Sequence, residues 1–138
     1  MGMFKKSVKV SNPYNPSKFF EAEFWVDSGA LYSLIPKNLL EEIGFEPEGT
    51  KNIILADGRT DRKLFGSCKF KIEGLPDTIT CPVIAGANDS LLLLGATALE
   101  NFGVEVDPIN KSLNPILAII GGFLVQCEMI QMFLARKY

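Results

Sequence analysis

The segment Phe24-Trp25-Val26-Asp27-Ser28-Gly29 sets a carboxylate and a hydroxyl side by side at the end of an apolar run. An acid leaving a buried strand should be partly desolvated, a setting suited to general acid–base work. Gly29 allows the backbone to bend and another group to approach closely. The bare tripeptide also reads as an ordinary surface turn, because Asp, Ser and Gly are all turn formers. One count narrows the chemistry: the chain contains no histidine. Ser-His-Asp and Cys-His nucleophile systems are excluded in their ordinary form, and so are His-containing zinc sites. Carboxylates, hydroxyls, thiols and lysines remain.

The chain that must position Asp27 has 138 residues, 47% of them hydrophobic and 22% charged. That is one domain's worth, and at about this size a fold buries close to 70% of the surface its unfolded chain exposes. Fourteen basic against 16 acidic residues leave a net charge of −2. No basic footprint for nucleic acid follows from that balance. Three widely spaced cysteines, Cys68, Cys81 and Cys127, form neither a disulfide framework nor a C-x-x-C pair. They read as buried thiols in a reducing compartment, and so as a cytoplasmic protein. The N-terminal lysines are followed by no long apolar run, so no signal peptide is expected. Lys6 stands where a myristoylation pattern wants a hydroxyl.

Turn residues punctuate the first two-thirds of the chain like a β-rich domain. Strands are expected over Phe4–Val10, Phe19–Val26, Lys51–Ala56, Arg59–Phe65, Cys68–Ile72, Thr78–Ala85, Leu91–Leu94 and Leu113–Ile120. Phe19–Val26 is apolar enough to be largely buried, and Leu91–Leu94 reads as fully buried. Asp57-Gly58 marks a two-residue hairpin turn. Two short helices interrupt the strands. Pro36 suits a first helical position, with Lys37 to Ile43 following and Gly44 as the stop; Ala96 to Phe102 is stopped by Gly103. Strand, glycine turn, short helix and glycine stop thus occur twice, which hints at an internally two-fold domain.

From Ile116 to Ala135 the chain is nearly all apolar, with Glu128 inside the run and Gly121-Gly122 splitting it. A membrane span needs about 20 such residues, and an acid near its middle costs roughly 2.5–3.5 kcal/mol. A core strand followed by a helix is the favoured reading, with a dimer surface, a membrane or interfacial anchor, and a disordered extension as alternatives. The division is therefore residues 1–120 as the functional domain and 121–138 as an apolar extension. Gly121-Gly122 is no phosphate loop, since no Gly-Lys-Ser/Thr accompanies it.

The wider pattern around Asp27 is more specific than the tripeptide. Two hydrophobics, Asp27-Ser28-Gly29-Ala30 and then Ser33-x-Ile35-Pro36 resemble the active-site motif of retropepsin-like aspartic proteases. A hairpin tip at Ala56-Asp57-Gly58-Arg59 follows where that family keeps its flap. Next comes Leu93-Leu94-Gly95 opening a helix through Leu99 to Gly103, like the family's second signature, and Val104 to Pro108 looks like the soluble prokaryotic members. The resemblance covers about residues 4–120. It implies an all-β fold with two short helices, a closed acid-protease barrel that forms half of a C2 dimer.

The resemblance also implies roles. Asp27 is the catalytic acid; Ser28 bonds across the dimer, and the Gly29 N–H supports the carboxylates. Leu55, Ala56, Asp57, Gly58 and Arg59 close over an extended peptide, while Ala30, Leu31, Leu93 and Leu94 shape apolar pockets. Viral members pair an arginine after the second glycine with an acid four residues past the catalytic aspartate. Here those positions hold Ala96 and Leu31, so both partners are missing together.

Peptide hydrolysis without a nucleophile or metal needs one group to activate water and another to protonate the carbonyl oxygen or leaving amine. Two carboxylates about 3 Å apart can do both by sharing a proton. One Asp-Ser-Gly is half such a site, and Leu94-Gly95 stands where a second copy would sit. An enzyme of this kind must be a homodimer acting on peptide or protein, with no cofactor and no metal. The alternative is a dimeric peptide-binding or scaffold module on the same fold without catalysis.

Overall fold

The computed structural model describes residues 3–55 and 57–117. The first hairpin joins β1 (Lys5–Asn12) to β2 (Asn15–Val26), turning over Pro13 and Tyr14. Asn12 shapes this turn and anchors it. Its side-chain oxygen accepts the N–H groups of Tyr14 and Asn15 at 2.8 and 3.1 Å. Its amide donates to the carbonyls of Ile43 and Gly44 at 2.9 and 3.0 Å. The end of the first helix is thereby pinned to the hairpin tip, and two otherwise open carbonyls gain partners.

The remaining elements are β3 (Ser33–Pro36), α1 (Lys37–Glu42), β4 (Gly49–Ile54), β5 (Thr60–Ile72), β6 (Thr78–Gly86), β7 (Leu93–Leu94), α2 (Ala96–Asn101), β8 (Val104–Asp107) and β9 (Ser112–Pro115). Strands run in the order β1-β2-β7-β3-β6-β5, and β5 pairs back onto β1. Six strands therefore close into a ring, which removes the sheet's edges. β5 is long enough to serve two partners. Its second half pairs with β1, from Ser11↔Lys69 to Val8↔Ile72, and its first half pairs with β4, from Gly49↔Phe65 to Ile54↔Thr60. β4 and the start of β5 thus form a hairpin beyond the ring, and β8 and β9 make a separate two-stranded sheet.

The interior follows from strand alternation. Val8 and Val10 on β1, and Cys68, Phe70 and Ile72 on β5, point inward at every second residue. They meet Phe24, Ile35, Leu40, Val83 and Leu94 in one core, with the rings of Phe24 and Phe70 6.0 Å apart and tilted. The aromatic pair adds about 0.5–1.5 kcal/mol to what area burial supplies.

The all-β expectation with two short helices holds, and so does the closed barrel. The two-fold pattern is present but imperfect. Both helices have six residues, and Gly44 and Gly103 follow them at φ +72° and +66°. β3 intervenes between Asp27 and α1, whereas α2 starts directly after β7 and Gly95.

Several local expectations are corrected. β2 starts four residues early and is mostly exposed before Phe24, because only its second half lies over the core. Arg59–Phe65 and Cys68–Ile72 are one strand, since Gly66 continues the ladder. A side chain at Gly66 would meet the Phe45 ring at 2.7 Å, so the glycine admits the loop after α1. Asp57-Gly58 is no two-residue turn: five residues, 55–59, separate the last paired residues Ile54 and Thr60. Pro36 caps α1 from outside its first turn, and Leu91 is 58% exposed because β7 is only two residues long. The last strand ends at Pro115, with Ile116 and Leu117 exposed; 118–120 and the proposed 121–138 extension lie outside the described residues.

Candidate active site

Asp27 is the first residue beyond β2 and is partly buried, as the end of a core strand dictates. Parallel pairing places Trp25 opposite Leu93 and Val26 opposite Leu94. The ladder then reaches the loop itself, where the Asp27 N–H donates to the Leu94 carbonyl at 3.0 Å. The Asp27 carbonyl accepts the Ala30 N–H at 3.2 Å, closing a tight turn. Inside that turn the Gly29 N–H donates to Oδ1 of Asp27 at 2.9 Å. This exposed bond fixes the carboxylate's orientation. An added Cβ at Gly29 would stand 3.2 Å from that same oxygen, crowding the turn.

A second loop locks the first. The N–H groups of Ala96 and Thr97, opening α2, donate to the carbonyls of Ala30 and Leu31 at 2.7 and 3.0 Å. Between them Gly95 lies so close that a Cβ would stand 2.6 Å from the carbonyl carbon and oxygen of Tyr32. Its own N–H donates to Oγ of Ser33 at 3.0 Å, and Ser33 has no exposed surface. Ser33 was legible only as part of a motif; its task is to satisfy a buried backbone donor that no strand partner reaches.

Asp27, Ala30 and Leu31 are therefore joined to Leu94, Ala96 and Thr97 by backbone bonds. Ser28 and Gly29 are exposed beside Asp27, and Leu31 is 62% exposed. Leu93 is half-buried and pairs with Leu34 as well as Trp25. Leu94 departs from its expected role: at 0% exposure it fills the core and forms no pocket wall.

The hairpin tip is built by local chemistry. Leu55 donates its N–H to the Arg59 carbonyl at 2.7 Å, and Gly58, at φ +88°, donates to the Leu55 carbonyl at 2.9 Å. Asp57 caps the bend: its carboxylate accepts the backbone N–H of Arg59 at 3.0 Å and the Arg59 Nε at 2.7 Å. These bonds, the backbone one foremost, hold the Asp57 carboxyl below its ordinary value. Asp57, Gly58 and Arg59 are exposed and Leu55 partly buried, while Ala56 lies outside the described residues. Ile54 adds an apolar side chain that is 76% exposed. Among the described residues no hydrogen bond joins this tip to the Asp27 loop. No helix among them is long and apolar enough to cross a membrane.

No protein-family model matches the chain, and no curated protein matches it in sequence. Solved structures do match. A retropepsin-like aspartic protease from Rickettsia conorii superposes with a TM-score of 0.52 at 19% identity, over 81% of this chain and 91% of that one. The retroviral protease-like domain of Ddi1 from Leishmania major gives 0.51 at 16% identity, over 86% and 96%. The foamy viral protease-reverse transcriptase in complex with an RNA/DNA hybrid gives 0.49 at 17% identity over 83% of this chain, which spans only 13% of that one. At such identities the likeness is one of fold.

Proposed function

We propose that this chain, whose fold is that of the retropepsin-like aspartic proteases, is an aspartic-type endopeptidase that works as a C2 homodimer. The observation that carries the reading is the Asp27 turn: a partly buried carboxylate, oriented by the Gly29 N–H, on a loop held by backbone bonds. A single chain offers one such carboxylate, so the reaction needs the partner's copy at the two-fold axis.

In the dimer the two Asp27 carboxylates share one proton. The ionised one takes a proton from water as its oxygen attacks the peptide carbonyl carbon. The protonated one gives its proton to the carbonyl oxygen. As the C–N bond breaks, the carboxyl that took the water proton gives it to the amine nitrogen, and the other carboxylate takes a proton from a diol hydroxyl, which restores the shared proton. Ser28, exposed beside Asp27, bonds across the axis. The β4–β5 hairpin lies over an extended peptide, with Leu55, Asp57, Gly58 and Arg59 at its tip and Ile54 as an apolar contact; Ala30, Leu31 and Leu93 border the side-chain pockets.

The test is cleavage of a mixed peptide library read by mass, with Asp27→Asn as the control. The wild type should cut and the variant should lose at least about a hundredfold in rate, the usual scale for a lost acid–base group. Equal cutting by both would end the assignment. Binding of peptides without cleavage by the wild type would favour a non-catalytic peptide-binding module.

A further inference from the structure

β5 leaves β6 part-way along its length, and the fork this creates holds a cavity of about 350 Å³. The β5–β6 ladder runs from Lys71↔Thr78 to Phe65↔Ile84 and stops, while earlier residues of β5 pair with β4, Arg62 with Asn52 and Lys63 with Lys51. One wall of the cavity is thus the β4–β5 hairpin and the other is the barrel. The parallel β3–β6 pairing sets Pro36 opposite Gly86, so that Lys37 and Asn88 leave the sheet side by side. Lys37, Arg62, Lys63 and Asn88 converge on the cavity above the small residues Ala85 to Ala87.

The polar side chains of this lining are donors. Asn88 accepts the Asn38 N–H on its Oδ1 at 3.0 Å, which leaves its NH₂ group to donate. The Lys63 ammonium lies 3.3 Å from the Asp61 carboxylate, which stands outside the lining. Among the described residues neither Arg62 nor Lys37 has a carboxylate within ion-pair distance. Gathering cations around one concavity is unfavourable by itself, and an anion between them reverses the sign. A guanidinium fork beside an ammonium suits a group with several oxygens, which Arg binds in bidentate fashion. The volume is that of a small-molecule site.

We propose that this fork binds a multiply charged oxyanion, a phosphate or a polycarboxylate, and that the occupant ties the β4–β5 hairpin to the barrel. The inference does not depend on peptide hydrolysis. It is tested on the full chain by calorimetric titration with sodium pyrophosphate and, separately, sodium citrate at constant ionic strength. Hydrogen exchange of the hairpin amides is followed with and without the anion. One-to-one saturable binding is expected, with at least tenfold weaker binding in the Lys37→Gln/Arg62→Gln variant and slower hairpin exchange in the bound wild type. Both substituted residues are exposed, and circular dichroism checks that the variant is folded. Which of the two anions saturates identifies the class. Saturation by neither, equal binding by the variant, or binding that leaves hairpin exchange unchanged overturns the proposal.

Discussion

The N–H of Asp27 donates to the carbonyl of Leu94 at 3.0 Å, so the candidate catalytic turn is an extension of the β2–β7 ladder. Two neighbouring bonds repeat the theme: Trp25 N–H to Leu92 at 2.9 Å and Val26 N–H to Phe4 at 2.9 Å. None of the three uses a side chain. The carboxylate's own intrachain bond, to the Gly29 N–H, can be kept by a carboxamide oxygen. Asp27→Asn should therefore unfold in urea within about 0.5 kcal/mol of the wild type. A much larger loss would mean that the charge, and not the ladder, holds the turn.

Gly95 and Ser33 form the opposite case, where small changes should be costly. Gly95→Ala drives a Cβ to 2.6 Å from the Tyr32 carbonyl, and backbone on both sides cannot yield as a flexible side chain would. Overpacking of this kind typically costs about 1–3 kcal/mol. Ser33→Ala leaves the buried Gly95 N–H without its 3.0 Å acceptor, for about 1–3 kcal/mol. Urea midpoints measure both. The two should fall short of additivity in the double variant, because they disturb one contact.

The parts of the fold that were legible in the sequence are those with short-range causes. Gly44 and Gly103 stop their helices at positive φ, and the tip near Asp57-Gly58 does turn the chain. What escaped depends on partners distant in sequence. Gly66 reads as a break between two strands but is a gap for the Phe45 ring. Leu94 reads as a pocket wall beside a glycine, yet the two-residue strand carrying it runs through the core. The cations at Lys37 and Arg62 meet only because β3–β6 pairing and the β5 fork bring them together. Cys68 and Cys81 lie directly opposite across β5 and β6, and one signal was available: they are placed symmetrically about the turn at Gly74.

Leu31 offers a test of the proposed dimer. It is 62% exposed four residues past Asp27, and Ala96 adds no charge to the neighbouring loop. Burying a leucine is worth about 1.5–3 kcal/mol per copy, and a two-fold axis doubles the effect. The wild type should sediment as a dimer at micromolar concentration and lose activity steeply on dilution below its dimer affinity, and Leu31→Asp should sediment toward monomer. A wild-type monomer that cleaves at full rate when dilute would refute the half-site argument.

The paired thiols make a prediction about alkaline stability. Burial pushes Cys68 up from 9.0 to about 12, with the Cys81 and Glu48 charges adding to it. Burial likewise pushes Cys81 up from 9.0 to about 11, against an opposing hydrogen bond from Asn101. Both folded values lie above the unfolded one, so the folded chain keeps protons that the unfolded chain releases. Their contribution is complete below pH 9 and is lost as pH rises toward the folded values. The slope is about 1.4 kcal/mol per pH unit for each thiol while only its unfolded form is ionised. A difference measurement against a variant without the two thiols isolates their share. Urea midpoints at pH 7, 8.5 and 10 should fall more steeply for the wild type than for Cys68→Ala/Cys81→Ala. Parallel curves would mean that these thiols reach solvent in the folded protein, in which case a thiol reagent added at pH 8 would label them without denaturant.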